Sequence, residues 1–161
     1  FQMTSEKQLQ EMFQVNYFSQ IYLTQLISRG MAKNKKGNII FVSSTSGING
    51  DYGRFIYSSS KAAILSSVKT LSKELSSYNI RVNAVCFGSV MSGSLQESLR
   101  LNEGSREKIL VATPLGRIGE AKEVADAVQY LASESASFVT GQVLMVDGGR
   151  TQVDSAEIFF H

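Results

Sequence analysis

Three short apolar, β-rich runs punctuate this sequence, at 37–44, 80–86 and 142–147, and helical periodicity fills the intervals between them. Such alternation restricts the fold sharply. Strands separated by helices pair in parallel, because each parallel connection needs a crossover of a dozen or so residues. Within the first run, Ile39, Ile40, Phe41 and Val42 are apolar at successive positions, as a strand covered on both faces requires. The expectation is an α/β fold, part of a doubly wound parallel sheet with helices on both faces. The first run is the most apolar and is expected at the centre of the sheet. No segment before it reads as a strand that could pair with its other edge.

The helices follow from apolar spacing. Thr4 or Ser5 can cap a helix expected over 5–30, with Leu9, Met12, Phe13, Leu23, Leu26 and Ile27 as its buried stripe. Asn16 falls on that stripe, and a buried amide left without partners costs about 1–3 kcal/mol. A second helix is expected over 55–78, with Ala62, Leu65, Val68, Leu71 and Leu75 facing the core. A third is expected over 121–132, apolar at Val124, Ala125, Val128 and Leu131. Lys33, Lys35 and Lys36 read as a solvated helix end. Gly47, Gly50 and Gly53 read as a flexible turn, since they do not open a βαβ unit after a first strand. Residues 88–112 are Gly/Ser-rich and are expected to hold a short helix.

Composition closes off several functions. Sixteen basic against fourteen acidic residues leave a charge of +2 with no long basic stripe, which argues against nucleic-acid binding. The single cysteine, Cys86, excludes an intrachain disulfide framework, and the single histidine, His161, leaves no ordinary zinc set or Ser-His-Asp triad. No apolar run approaches the roughly 18 residues of a membrane span. No acidic pair stands in a loop setting suited to a carboxylate-based hydrolase. A reducing, cytoplasmic setting is the expectation, with no membrane partner.

One constellation carries chemistry. Tyr57 and Lys61 are four residues apart, so on a helix the phenol and the ammonium share a face. An ammonium about 5 Å from a phenolate favours it by roughly 3.3 kcal/mol at an effective dielectric of about 20. That is the scale needed to bring a phenol toward acid-base work. Ser44 ends the first strand at the carboxyl edge, where open α/β sheets place ligands. Its hydroxyl can align a carbonyl there while Tyr57 delivers the proton. Asn16, polar on an apolar face, is the fourth member.

With Val15-Asn16, Val42-Ser43-Ser44, Tyr57 and Lys61 in this order and spacing, the sequence resembles the classical short-chain dehydrogenase/reductase family. The likeness continues through 80–85, Pro114-Leu115-Gly116-Arg117, 138–141 and Val146-Asp147-Gly148-Gly149, and so covers residues 4–149. Within the family it most resembles the 3-oxoacyl-(acyl-carrier-protein) reductases. The resemblance implies an NAD- or NADP-dependent enzyme interconverting a carbonyl and a secondary alcohol, with a 3-oxoacyl thioester among the candidate substrates. It makes Tyr57 the acid/base and gives Lys61 both the phenol and the nicotinamide ribose. Ser44 orients the carbonyl, with Ser43 or Thr45 as partial substitutes, and Asn16 holds a water relaying protons to Lys61. Phe87, Gly88, Val90 and Ser92 fall at the cofactor loop.

Residues 89–112 take the place of a substrate lid, where Leu95, Leu99, Ile109 and Leu110 point to an apolar substrate. The two long helices correspond to the family's subunit interface, implying a homo-dimer or homo-tetramer. The sequence departs from the family at Phe87, where proline is usual, and at Ser92, where threonine is usual. The family's phosphate turn, T-G-x-x-x-G-x-G, is also missing, and Phe1 corresponds to a point just beyond the N-N-A-G segment. Residues 1–149 are therefore expected to be the C-terminal portion of a single Rossmann-like domain without its N-terminal cofactor half. Residues 150–161 form a tail whose Ile158, Phe159 and Phe160 can dock on a neighbour. The alternative is a catalytically silent scaffold or truncated relative acting in assembly. The intact tetrad argues against it, and Phe87 and the missing turn argue for it.

Overall fold

The computed structural model describes residues 1–102 and 104–152. Three strands, β1 (Gly37–Ser44), β2 (Ile80–Phe87) and β3 (Val143–Val146), form one parallel sheet in the order β1-β2-β3. The middle place belongs to β2 and not to the most apolar run. Val82, Ala84, Val85 and Cys86 on β2 are fully buried, whereas Val42 on β1 is 40% exposed. A strand is central through having a neighbour on each side, and only β2 has both among the described residues. Apolarity measures the cover a strand needs, which is a different quantity from the cover these residues supply.

Register fixes the functional edge. Gly37 lies opposite Ile80, Ser44 opposite Phe87, and Phe87 opposite Val146. The three strands therefore finish level, with Ser44, Phe87 and Val146 in one row at the carboxyl end.

The first helical rod has three parts. Helix α1 (Glu6–Phe13) opens with a capping box, in which Ser5 Oγ accepts from Gln8 N at 3.2 Å and the Gln8 side chain accepts from Ser5 N at 3.0 Å. A π-helical turn, Gln14–Phe18, then leads into α2 (Ser19–Lys33). Its i→i+5 bonding inserts a residue into the ordinary period, which turns every later position by about 100°. The expected stripe splits as a result. Met12 and Phe13 stay half-buried, as do Asn16, Tyr17 and Ile21, while Leu23, Leu26 and Ile27 beyond the turn are exposed; Leu9, before it, is at the solvent edge of α1. Lys33, Lys35 and Lys36 stand in solvent at the helix end, as expected.

After β1 comes a short helix, α3 (Ser46–Asn49), where a flexible turn was expected. A Cβ on Gly47 would lie 2.8 Å from the Lys61 carbonyl carbon and 3.0 Å from Ala62 N, so this glycine permits close packing on the next helix. That helix, α4 (Phe55–Glu74), ends four residues earlier than expected and is followed by a 3₁₀ turn, Ser76–Tyr78. Its buried stripe is Ser60, Ile64, Val68 and Ser72; Leu65, Leu71 and Leu75 pack at the margin, and Ala62 is exposed. Ser60 and Ser72 are tolerated inside because their hydroxyls bond back to the carbonyls of Tyr57 (2.7 Å) and Lys69 (3.0 Å).

Two helices, α5 (Gly93–Leu101) and α6 (Ser105–Val111), replace the single short helix expected after β2. The helix expected at 121–132 is α7 (Ala121–Ala132), with Leu131 buried and Ala125 exposed. Phe41, Ile64, Val68, Ile80, Val82 and Ala84 form the core between α4 and the sheet. Ile158, Phe159, Phe160 and His161 lie outside the described residues.

Candidate active site

Ser44 is the last residue of β1, and its side chain turns into the loop that follows. Its Oγ accepts from Ser46 N and donates to Ser46 Oγ, both at 3.3 Å. Ser43, one position earlier, faces the other way, as a period of two demands. It is fully buried and donates to the Lys61 carbonyl at 2.9 Å. Ser43 therefore has no free hydroxyl with which to replace that of Ser44, contrary to the expectation.

Tyr57 stands in the first turn of α4 and is half-buried. One turn on, Lys61 Nζ lies 5.8 Å from the centre of the Tyr57 ring and donates to the Val42 carbonyl at 3.2 Å. The Tyr57–Lys61 face of α4 is thus pinned to the last turn-ward residues of β1. Burial pushes the Lys61 ammonium below lysine's ordinary range, and the neighbouring Cys86 pulls it partly back. The buried Cys86 thiol is itself pushed up by burial, against the pull of the nearby Lys61 ammonium.

Asn16 sits within the π turn, where the widened backbone aims its amide across to α4. Its Nδ2 donates to Ser60 Oγ at 3.0 Å and to Met12 Sδ at 3.1 Å. Ser60 in turn donates to the Tyr57 carbonyl. Asn16 is therefore tied to the turn of helix that carries Tyr57, and its partner is Ser60.

On the other side of Ser44 runs the loop after β2. The Phe87 carbonyl accepts from Thr45 N at 3.2 Å, and Gly88 N donates to the Val146 carbonyl at 3.2 Å. A Cβ on Gly88 would lie 3.1 Å from Asp147 Cβ and 3.2 Å from its Cα, so glycine lets the loop pass close to the end of β3. Val90 bridges in parallel to Gly119. Ser92 caps α5, its Oγ accepting from Leu95 N at 3.2 Å. The candidate residues thus fall in two groups, Asn16, Ser44, Tyr57 and Lys61 on the β1 side and Phe87, Gly88, Val90 and Ser92 beyond β2.

Two cavities flank them. One, of about 810 Å³, lies beside Tyr57 between Phe1, Met3, Met12, Val15, Arg54 and Phe55. The other, of about 430 Å³, lies between Val90, Thr113, Leu115, Val124 and Met145. Leu95, Leu99, Ile109 and Leu110, expected as lid residues, line neither.

A family model described as enoyl-(acyl carrier protein) reductase matches residues 1–151. The chain belongs to the short-chain dehydrogenase/reductase family. Among curated relatives of this short-chain dehydrogenase/reductase, a 3-oxoacyl-(acyl-carrier-protein) reductase of Thermotoga maritima is 42% identical over 135 residues, which are 84% of this chain and 54% of the relative. Nodulation protein G of Rhizobium meliloti is 39% identical over 140 residues, 87% of this chain and 56% of the relative. The chain spans about half the length of the curated relatives it matches. In three dimensions it is similar to a gluconate 5-dehydrogenase of Burkholderia cenocepacia solved with NADP and tartrate, with a TM-score of 0.91 at 25% identity over 95% of this chain and 60% of that one. ElxO with NADP bound gives a TM-score of 0.89 at 27% identity over 95% of this chain and 62% of that one.

Sequence reasoning missed Ser60 as the link between Asn16 and Tyr57. A signal existed: Ser60 precedes Ile64 and Val68 by one and two turns, a polar residue on a core face like Asn16 itself. It also missed the polar chain from Ser46 through Asp51 to Arg54, which no local periodicity marks. Among the described residues, no group of three or more His, Cys, Asp or Glu is placed to hold a metal, and no helix is long and apolar enough to cross a membrane.

Proposed function

We propose that this short-chain dehydrogenase/reductase carries the catalytic portion of an NAD(P)-dependent oxidoreductase that interconverts a carbonyl and a secondary alcohol. The observation that carries the reading is the placement of Ser44, Tyr57 and Lys61 at the carboxyl end of β1. Lys61 Nζ stands 5.8 Å from the Tyr57 ring centre and is anchored on the same strand that Ser44 terminates. The residues present fit the nicotinamide end of such a cofactor through their donor chemistry, the hydroxyls of Ser44 and Tyr57 and the Lys61 ammonium at one end of β1. When bound, that ring supplies or accepts hydride.

The chain's own residues then do the rest. Ser44 Oγ–H turns from Ser46 Oγ to donate to the substrate oxygen and holds the carbonyl in line, while Ser46 N keeps its bond to Ser44 Oγ. Tyr57 Oη gives its proton to that oxygen in reduction and takes it back in oxidation. Lys61 stabilises the phenolate left behind and binds the ribose. Asn16, through Ser60, holds the Tyr57 turn of α4 in place and orders a water for return of the proton toward Lys61. Phe87, Gly88, Val90 and Ser92 border the nicotinamide. Residues 1–149 correspond to the C-terminal portion of one Rossmann-like reductase domain.

The likeness to 3-oxoacyl-(acyl-carrier-protein) reductases favours a 3-oxoacyl thioester as substrate. The bare apolar positions Leu23 (57% exposed) and Leu26 (67%) on α2 support a homo-dimer or homo-tetramer in which α2 is covered. The test follows oxidation of NADPH and NADH with a short 3-oxoacyl thioester, in the protein that carries these 161 residues. Turnover is expected, and its absence with every carbonyl and alcohol tried would leave the scaffold role instead.

A further inference from the structure

The ten residues between Ser44 and α4 are folded back on themselves. Gly50 (φ +71°) and Gly53 (φ +75°) adopt the left-handed backbone that glycine favours, and they bracket Asp51. The turns place Asp51 between two neighbours. Ser46 Oγ donates to Asp51 Oδ2, and Arg54 Nη1 stands 3.6 Å from the same oxygen. Ser46 is buried and already holds Ser44 through two hydrogen bonds. On the far side, the Arg54 guanidinium carbon lies 5.0 Å from the centre of the Tyr57 ring. Asp51 N also donates to Ser58 Oγ in the first turn of α4, at 3.3 Å. A continuous path of polar contacts therefore runs Ser44, Ser46, Asp51, Arg54, Tyr57.

We propose that Asp51 and Arg54 are positioning residues that tie the Ser44 hydroxyl and the Tyr57 ring into one unit. The inference rests on the functional reading above and deepens it. Asp51 is the hub, because one carboxylate oxygen receives both the Ser46 hydroxyl and the Arg54 cation. A cation over an aromatic face is held there by the ring quadrupole, so Arg54 restricts the tilt of Tyr57 and with it the direction of the phenol. An exposed ion pair of this kind contributes little to stability. The consequence of breaking it is read in alignment of the reacting groups, and so in rate.

The experiment uses the protein that carries these residues, with Tyr57→Phe as the reference for loss of the acid/base. Arg54→Gln and Asp51→Asn are each expected to lower kcat about two- to fivefold, the rate equivalent of about 0.5–1 kcal/mol. The KM for reduced nicotinamide and the melting temperature stay at the wild-type values. The double variant loses no more than the worse single one, because both act through the same contact. Arg54→Lys keeps the cation and restores most of the rate. Wild-type kcat in both single variants beside an inactive Tyr57→Phe overturns the proposal and leaves the functional reading standing. Additive losses, or a loss that Arg54→Lys fails to restore, overturn it equally. A fully active Tyr57→Phe overturns the functional reading and the proposal together. A readout independent of turnover comes from the ring resonances of Tyr57 in tyrosine-labelled protein. Asp51→Asn must move them as Arg54→Gln does, and unmoved signals overturn the proposal.

Discussion

The two flanks of β2 are built in different ways. Toward β3, polar side chains close on backbone groups that would otherwise be stranded. Asn83, fully buried, donates to the Val139 carbonyl at 2.8 Å and accepts from Gln142 N at 3.0 Å. Arg81 forks onto the carbonyls of Val139 and Leu131, and Thr140 Oγ1 accepts from Val82 N at 3.0 Å. Toward β1, Val42 is open to solvent, as are Leu23 and Leu26 on α2, and the candidate catalytic side chains of Asn16 and Ser44 are held through the hydroxyls of Ser60 and Ser46. The lesson is a division of labour. One flank locks the chain, and the other carries reactive groups on few bonds, so rate and stability respond to different substitutions.

That division is broken first at Tyr57. Tyr57→Phe removes one hydroxyl from a half-buried ring, and kcat is expected to fall about 10²–10⁴-fold with an unchanged melting temperature; steady-state kinetics beside thermal unfolding checks both. Ser44→Ala is expected to cost about 10²–10³-fold, the scale of a lost donor to a developing oxyanion. The buried Ser43 is already committed to the Lys61 carbonyl, so no rescue by it is expected, and near-normal turnover in Ser44→Ala would show otherwise.

The opposite flank answers in stability. Asn83→Ala empties a fully buried site and takes from Gln142 N its partner, while the Val139 carbonyl keeps Arg81; a loss of about 1–3 kcal/mol is expected, measurable by denaturant unfolding. Gly47→Ala tests a point on the β1 side where one helix packs backbone-close on the next. Its methyl meets the Lys61–Ala62 backbone, and a loss of about 1–3 kcal/mol is expected. A neutral result there would mean that α3 can shift freely.

The smallest effect is electrostatic. Arg117 grips Glu123 with both ends of its guanidinium, at 2.6 and 2.8 Å, and Glu120 N adds a third hydrogen bond. These bonds lower the Glu123 carboxyl from 4.5 to about 2. A carboxyl held low in the folded state stabilises it in full above the ordinary value and loses that contribution as pH falls toward the lowered one. The melting-temperature difference between wild type and Glu123→Gln is therefore expected to be constant above 4.5 and to shrink to nothing by about 2. A difference independent of pH would assign the pair no role.

What the sequence determined by itself was everything set by short-range pattern. Parallel strands at 37–44 and 80–86, the helix Ala121–Ala132 and the four-residue step from Tyr57 to Lys61 follow from periods of two and 3.6, which act between near neighbours. The family likeness rested on the same local words. Tertiary structure alone decided that β2 and not β1 lies between two strands among the described residues, since strand order depends on neighbours and not on a strand's own composition. It decided that Leu23, Leu26 and Ile27 stand outside, because a π turn at Gln14–Phe18 breaks the period that their spacing presumes. It made Ser60 the partner of Asn16 across 44 residues and set Asp51 between Ser46 and Arg54. Contacts of that kind depend on where whole elements come to rest, and no local spacing encodes that.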